Sequence, residues 1–294
     1  MKPKRSYIVV SLLALISLTI ACSLTDGTPQ KPEVPPDDSN TIATAVAGTM
    51  AASEVGNTQP TVHPTVTASG VEPNFNCAGV QFYFNDLLAE SITVNVNPGE
   101  YDANSPWWSK PEHRECIFNN WVLVDAFHTA AIRVYPVADY QAINENVSGG
   151  LDGLTIAFES QPADHAGLRV PDLYNAGQLF QAQVKYMDFQ NGAGARWLSQ
   201  YGQAYSTIGW PHLFYTFQGI TEDGQYYVSL ILPVNHPSLP HPNNVTMDDA
   251  FAENYDSYAE ATALQLNGES DNSFVPSLVL LDQLVESLLV GVIP

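Results

Sequence analysis

The chain has 294 residues and carries 31 Asp and Glu against 10 Lys and Arg, a formal net charge of −21. Such an acid excess excludes nucleic acid as a partner, because binding a phosphate backbone takes basic residues to displace its counterions. It also excludes adhesion to anionic lipid headgroups by charge, so any attachment to a membrane must come from somewhere else.

Lys2, Lys4 and Arg5 precede an apolar run over 7–21, the basic and hydrophobic regions of a signal peptide at 1–21. Fifteen residues fall short of the roughly 20 that cross a bilayer as a helix. The run ends in "LTIAC", and Leu18, Thr19, Ile20, Ala21 and Cys22 resemble the lipobox of bacterial lipoproteins, in which a small residue precedes a cysteine that is acylated. The family has Leu where Thr19 stands, a departure from its pattern. The resemblance implies lipidation at Cys22, an extracytoplasmic location and a membrane contact made through acyl chains only.

Residues 22–73 are rich in Thr, Pro, Ser and Ala and hold no aromatic residue. Such a segment cannot bury enough apolar surface to offset the entropy of ordering it, and it reads as a disordered tether reaching about 35–40 Å as a coil. All five Trp, all twelve Phe and thirteen of fourteen Tyr fall in 74–294, which reads as one globular α+β domain. No internal repeat is visible, and 161–172 is the place for a long loop or subdomain joint. With Cys22 acylated, Cys77 and Cys116 remain, and an oxidising compartment favours a disulfide between them over two buried thiols. A closed loop of about 40 residues contributes roughly 3–4 kcal/mol in the chain-entropy account.

In chain order, "GVQFYF" (79–84), "ITVNVN" (92–97), "CIFNNWVLV" (116–124) and "AAIRVYPV" (130–137) predict strands, with a helical turn at 85–91. "LYNAGQLF" predicts the start of a short helix. Asn191-Gly192 followed by Gly194 predicts a hairpin because these residues accept positive φ. A second hairpin runs from "LFYTFQGI" to "QYYVSLILPV" and turns at "TEDG". Thr246 predicts the N-cap of a helix with Phe251, Tyr255, Tyr258 and Thr262 on one stripe. A final helix has Pro276 suited to its first turn and Leu278, Leu281, Val285 and Leu288 facing one way. Strands in the middle and helices at the end give an antiparallel sheet built from hairpins, with flanking and C-terminal helices.

The segments "MDFQNGAGARWLSQYGQ", "LFYTFQGITEDGQYYVSLILPVNHPSLP" and "FVPSLVLLDQLVESLLV" resemble uncharacterised, lipobox-bearing surface lipoproteins of Chloroflexi-type bacteria over about 75–290. That resemblance implies no assigned activity and no catalytic residue. The order of paired hairpins followed by a terminal amphipathic helix is similar to the PsbP-like fold, and implies an α-β-α sandwich used by non-enzymatic lipoproteins.

No hydrolase, metalloprotease, P-loop or dinucleotide motif is present in the sequence. His212, His236 and His241, near Asp248 and Asp249, suggest a metal site, but "NHPSLPHP" reads as a proline-bounded loop, so no metal or cofactor is expected. Trp107 and Trp108 in "SPWWSK" and Trp210 in "IGWPH" lie in loops, either capping the core or standing exposed; Trp121 and Trp197 read as core. The expectation is therefore a non-catalytic binding or structural module outside the cell, with a partner site around Trp107, Trp108, Trp210, His236 and His241. An envelope protein or a glycan stacked on exposed Trp would be the partner, and an unrecognised extracytoplasmic hydrolase is the alternative.

Overall fold

A computed structural model describes residues 71–173, 175–241 and 244–292. The signal segment, Cys22 and the tether up to residue 70 lie outside the described residues.

Seven strands form one antiparallel sheet in the order β3-β4-β5-β9-β8-β7-β6. They are β3 (Ser91–Asn97), β4 (His113–Asn119), β5 (Ala131–Pro136), β6 (Gly177–Phe189), β7 (Gly192–Gly202), β8 (Phe214–Thr221) and β9 (Tyr226–Pro233). A small sheet joins β1 (Phe75–Cys77), β2 (Val80–Phe82) and β10 (Leu289–Val290). Helices lie on both faces of the large sheet, and each face has its own core. Helices α1 (Val137–Ile143) and α2 (Glu145–Ser160) bury Tyr140, Val147, Leu151 and Leu154 against Tyr135, Trp197, Phe214 and Tyr227. On the other face α4 (Tyr255–Asn267), α5 (Leu278–Glu286) and the small sheet cover Ile132, Leu198, Phe217 and Leu230. With both faces covered, β8 and β9 are buried almost continuously rather than at alternate residues. The chain is α+β with antiparallel sheets and C-terminal helices, as the sequence predicts.

Cys77 and Cys116 form a disulfide with their Cα atoms 6.1 Å apart, which ties the small sheet to β4. Both cysteines are fully buried.

Several local readings are corrected. No helix begins at "LYNAGQLF"; Gly177 opens β6. The turn between β6 and β7 forms where predicted, but neither Asn191, Gly192 nor Gly194 adopts a left-handed φ. A Cβ on Gly192 would lie 2.1 Å from Phe189 Cζ, and one on Gly194 would lie 2.2 Å from the Gln218 carbonyl oxygen, so both glycines are there for close approach. Asn191 uses its side chain as a strand edge: Nδ2 donates to the Val290 carbonyl at 2.8 Å and Oδ1 accepts from the Val290 N–H at 3.1 Å. The predicted strand at 116–124 ends at Asn119, where Asn120 turns with φ 51°. The N-cap is Asp248 rather than Thr246: Asp248 accepts the Phe251 N–H at 2.9 Å at the head of α3 (Asp249–Glu253), which breaks before α4. Residues 161–172 are a loop but no domain joint, because Leu168 and Val170 pack into the same core as α2.

Candidate functional site

Strand pairing lines up a polar row across the α1–α2 face of the sheet. Asn95 pairs with Glu115, Glu115 with Arg133, Arg133 with Ser229, and Ser229 with Gln218. Directly opposed residues share a face, so a period of two places a chemistry-bearing group on each of five adjacent strands. At the β8–β9 end the row is sealed: Gln218 Nε2 donates to Thr216 Oγ1 and Ser229 Oγ, and Ser229 Oγ donates to Asp172 Oδ1 at 3.3 Å. At the β3–β5 end it opens into a cleft.

The cleft has a volume of about 520 Å³ between the 98–110 connection and the row, with Asn97, Lys110, His113, Glu115 and Arg133 on its walls. A second cavity of about 220 Å³ shares Lys110 and Arg133 with it and adds Phe127, His128, Asp172 and Leu173. A larger groove of about 700 Å³ is lined by Arg114, Pro136, Asp139 and Gln225, and Glu112 pairs with Arg114 there at 2.9 Å.

Within the cleft Glu115, Asn97 and His113 have definite partners. Arg133 Nε donates to Glu115 Oε1 at 2.8 Å, and Asn97 Nδ2 donates to Glu115 Oε2 at 3.0 Å. His113 Nδ1 lies 2.9 Å from the Pro111 carbonyl, which can only accept, so Nδ1 carries the proton and Nε2 accepts from Asn97 Nδ2 at 3.2 Å. Its ring stacks on Tyr135 at 4.7 Å. Burial lowers the His113 pKa, keeping the ring neutral. Burial works to raise Glu115, but the Arg133 charge and the Asn97 hydrogen bond outweigh it and hold the carboxyl below its ordinary value. Burial likewise opposes the Arg133 charge, and Tyr135, Asp172 and Glu115 outweigh it and raise its pKa. In the smaller cavity, burial and then His212 push His128 down to about 4, and its Nε2 is buried without a hydrogen-bond partner.

The residues expected from the sequence to form a partner site are not brought together. Trp107 and Trp108 form a short turn (Pro106–Trp108) in the β3–β4 connection, 44% and 49% exposed, and Asn144 Nδ2 holds its backbone by donating to the Trp107 and Ser109 carbonyls. That connection leaves the sheet at the Asn97–His113 end. Trp210, half-buried, and the His236 segment leave from the opposite end, after β7 and β9. His236 is not a surface residue: it is buried against Phe274, with Nδ1 2.7 Å from Ser238 Oγ and Nε2 3.0 Å from Ser273 Oγ, and it pins this segment to the Asp271–Ser273 turn. His241 is exposed. Among the described residues no group of three or more His, Cys, Asp or Glu is placed to hold a metal ion. Trp121 and Trp197 are buried, Trp121 just beyond β4 with Nε1 donating to the Pro233 carbonyl at 2.9 Å.

Sequence reasoning passed over Lys110, His113, Glu115, Arg133 and Asp172. A signal was present: "HRECIF" and "AIRVYP" put His113 and Glu115 two apart in one strand and Arg133 in the next, which places these groups on one face of a sheet, although Arg114 between them breaks the alternation.

No family model, curated protein or solved structure matches this chain.

Proposed function

We propose that this protein is a lipid-anchored extracytoplasmic binding module, non-catalytic, that presents the β3–β5 cleft to a ligand at the end of a tether. The observation that carries the reading is the pair Lys110 and Arg133. In a chain with three acids for every base, two cations converge on one cleft, and neither Lys110 Nζ nor the Nη atoms of Arg133 meet an acceptor among the described residues. Signal-like and lipobox-like residues at 1–22, the resemblance to lipobox-bearing surface proteins and a buried disulfide favoured by oxidising compartments support the location. Glu115 weighs against a general acid in the cleft: both its oxygens are engaged and its pKa is lowered, the reverse of what that role needs.

A second reading keeps a glycan on Trp107 and Trp108, favoured by their half-exposed rings on a turn whose backbone is fixed by Asn144. Envelope glycan and protein fractions passed over immobilised Cys22→Ser chain test both. Retention lost on Lys110→Gln supports the cleft, and retention lost only on Trp107→Ala with Trp108→Ala supports the turn. Equal retention by all three forms overturns both placements. Hydrolysis of a glycan, peptide or ester library, abolished by a single cleft substitution, would overturn the non-catalytic reading.

A further inference from the structure

Resting on that binding reading, we infer that the cleft receives a carboxylate, held between the Nη1/Nη2 edge of Arg133 and Nζ of Lys110. Arg133 spends only Nε on Glu115, at 2.8 Å; its Nη1 and Nη2 hydrogens have no acceptor among the described residues, and the side chain lines both cavities. That edge presents two parallel N–H groups, the geometry that a planar carboxylate matches with two oxygens. The guanidinium is also fixed in advance. Its side chain is 17% exposed, Glu115 grips it, and Asn97 grips Glu115 in turn, so little rotamer freedom remains to be lost when a ligand arrives.

Lys110 closes the other side. It is half-buried, its backbone pairs with Glu100 as an isolated bridge, and its ammonium has no ion pair among the described residues. His113 cannot compete for the ligand because both ring nitrogens are engaged, Nδ1 on Pro111 and Nε2 on Asn97. In the adjoining cavity His128 Nε2 is buried without a partner, which adds a polar contact for a ligand that extends past Arg133.

Charge balance selects the kind of anion. Lys110 and Arg133 bring two positive charges, while Glu115, Asp172 and Glu100 on the same walls bring three negative ones. A singly charged carboxylate fits the two free donors; a phosphate dianion would add a second negative charge where the surplus is already acidic.

The test uses the full chain with Cys22→Ser, labelled with ¹⁵N, and follows the Arg133 and Lys110 side-chain resonances at constant ionic strength. Three probes are titrated separately: galacturonate, galactose, which lacks only the carboxylate, and inorganic phosphate. The expected result is a saturable shift with galacturonate, none with galactose and a weaker one with phosphate, and Lys110→Gln weakens galacturonate binding roughly fivefold at unchanged thermal stability. Arg133→Lys, which keeps the charge and loses the fork, weakens it more. Equal shifts by galactose, or tighter binding of phosphate, would overturn the carboxylate assignment and leave the binding reading standing. No shift with any probe would also overturn it, and the envelope fractions then decide the binding reading separately.

Discussion

Asp282 Oδ2 accepts from Lys185 Nζ at 2.8 Å, on a carboxylate that is only 7% exposed. The other oxygen lies 3.3 Å from Arg196 Nε and accepts from Tyr215 Oη at 3.1 Å, so one side chain of α5 is tied to β6, β7 and β8. Arg196 is itself buried, and its Nη2 reaches Asp271 at 3.2 Å. Taking one partner out of such a cluster leaves buried charge uncompensated. Asp282→Ala should therefore cost about 3–5 kcal/mol, read as a lower urea midpoint. A change below ~1 kcal/mol would show that Asp271 alone suffices to balance Arg196.

Stability should fall on mild acidification. Burial and then His212 push His128 down to about 4; burial, helped by the Lys110 and Arg133 charges, lowers His113, and burial lowers His212. A histidine whose folded pKa lies below its unfolded value takes up a proton on unfolding. Between pH 6.5 and about 4 the unfolded chain then binds more protons, and stability is lost as pH falls through that window. For His128, facing Arg133 and Asp172 as well as His212, the loss is on the order of 3 kcal/mol. Glu115, with its lowered pKa, adds a loss of the same sign at lower pH. Urea midpoints at pH 7, 5.5 and 4 measure this, and His128→Asn should flatten the profile. A profile as steep in the variant as in the parent would assign the acid sensitivity to other groups.

Trp107 and Trp108 should be dispensable for folding, while Asn144 should not. Both indoles are about half exposed, so replacing both with Ala is expected to cost little, on the order of 1 kcal/mol. Asn144 is buried, accepts the Val147 N–H at 3.2 Å at the head of α2 and donates to two carbonyls of the Trp turn. Asn144→Ala removes a cap and strands those carbonyls, an expected loss of about 2–3 kcal/mol. Thermal melts of the two variants compare them directly. If the Trp pair proved the costlier change, the turn would belong to the core and could not serve as a contact surface.

The mature protein should partition into the detergent phase, and Cys22→Ser should move it to the aqueous phase. Acyl chains supply ~0.8 kcal/mol per buried methylene, and the acidic chain offers no electrostatic substitute. Identical partitioning of both forms would remove the lipid anchor from the proposal.

The two long hairpins were legible in the sequence because their evidence is local: alternating β-branched and aromatic residues around "QNGAG" and "TEDG". The longest helix, α2, was not. Gly149, Gly150 and Gly153 interrupt "ENVSGGLDGLTIAFES", and each costs a helix interior about 1 kcal/mol relative to Ala, so the propensity signal cancels. What restores the helix is tertiary packing, as Leu151 and Leu154 bury themselves on Tyr135 and Trp197. The cleft was illegible for a related reason. Lys110, Arg133 and Asp172 are separated by long stretches of chain, and the Glu100–Lys110 bridge, the β4–β5–β9 register and the loop that carries Asp172 bring them together. His236 misled because a His-Pro pair reads as an exposed turn, whereas here two serine hydroxyls hold the ring inside.

Glycines in two elements should respond to the same substitution with opposite sign. Gly149 is exposed in the interior of α2, and a Cβ there would meet nothing within 4 Å. Gly149→Ala therefore reduces the freedom of the unfolded chain at no steric cost and should stabilise by about 0.5–1 kcal/mol. Gly150, its neighbour, would place a Cβ 3.0 Å from Pro171 Cβ, so there the gain is opposed by the loop that crosses the helix. Gly194 lies in β7 between two paired strands, and its Cβ would fall 2.2 Å from the Gln218 carbonyl oxygen and 2.7 Å from Gly219 Cα. Both obstacles are backbone atoms of β8, so relief requires the β7–β8 ladder itself to part at the point where Gly194 pairs with Gly219. Gly194→Ala should destabilise by more than about 2 kcal/mol, with loss of amide protection in β7 and β8 ahead of the other strands. Urea titration and hydrogen exchange read both effects, and a stabilised or neutral Gly194→Ala would show that the two strands are not held at this separation.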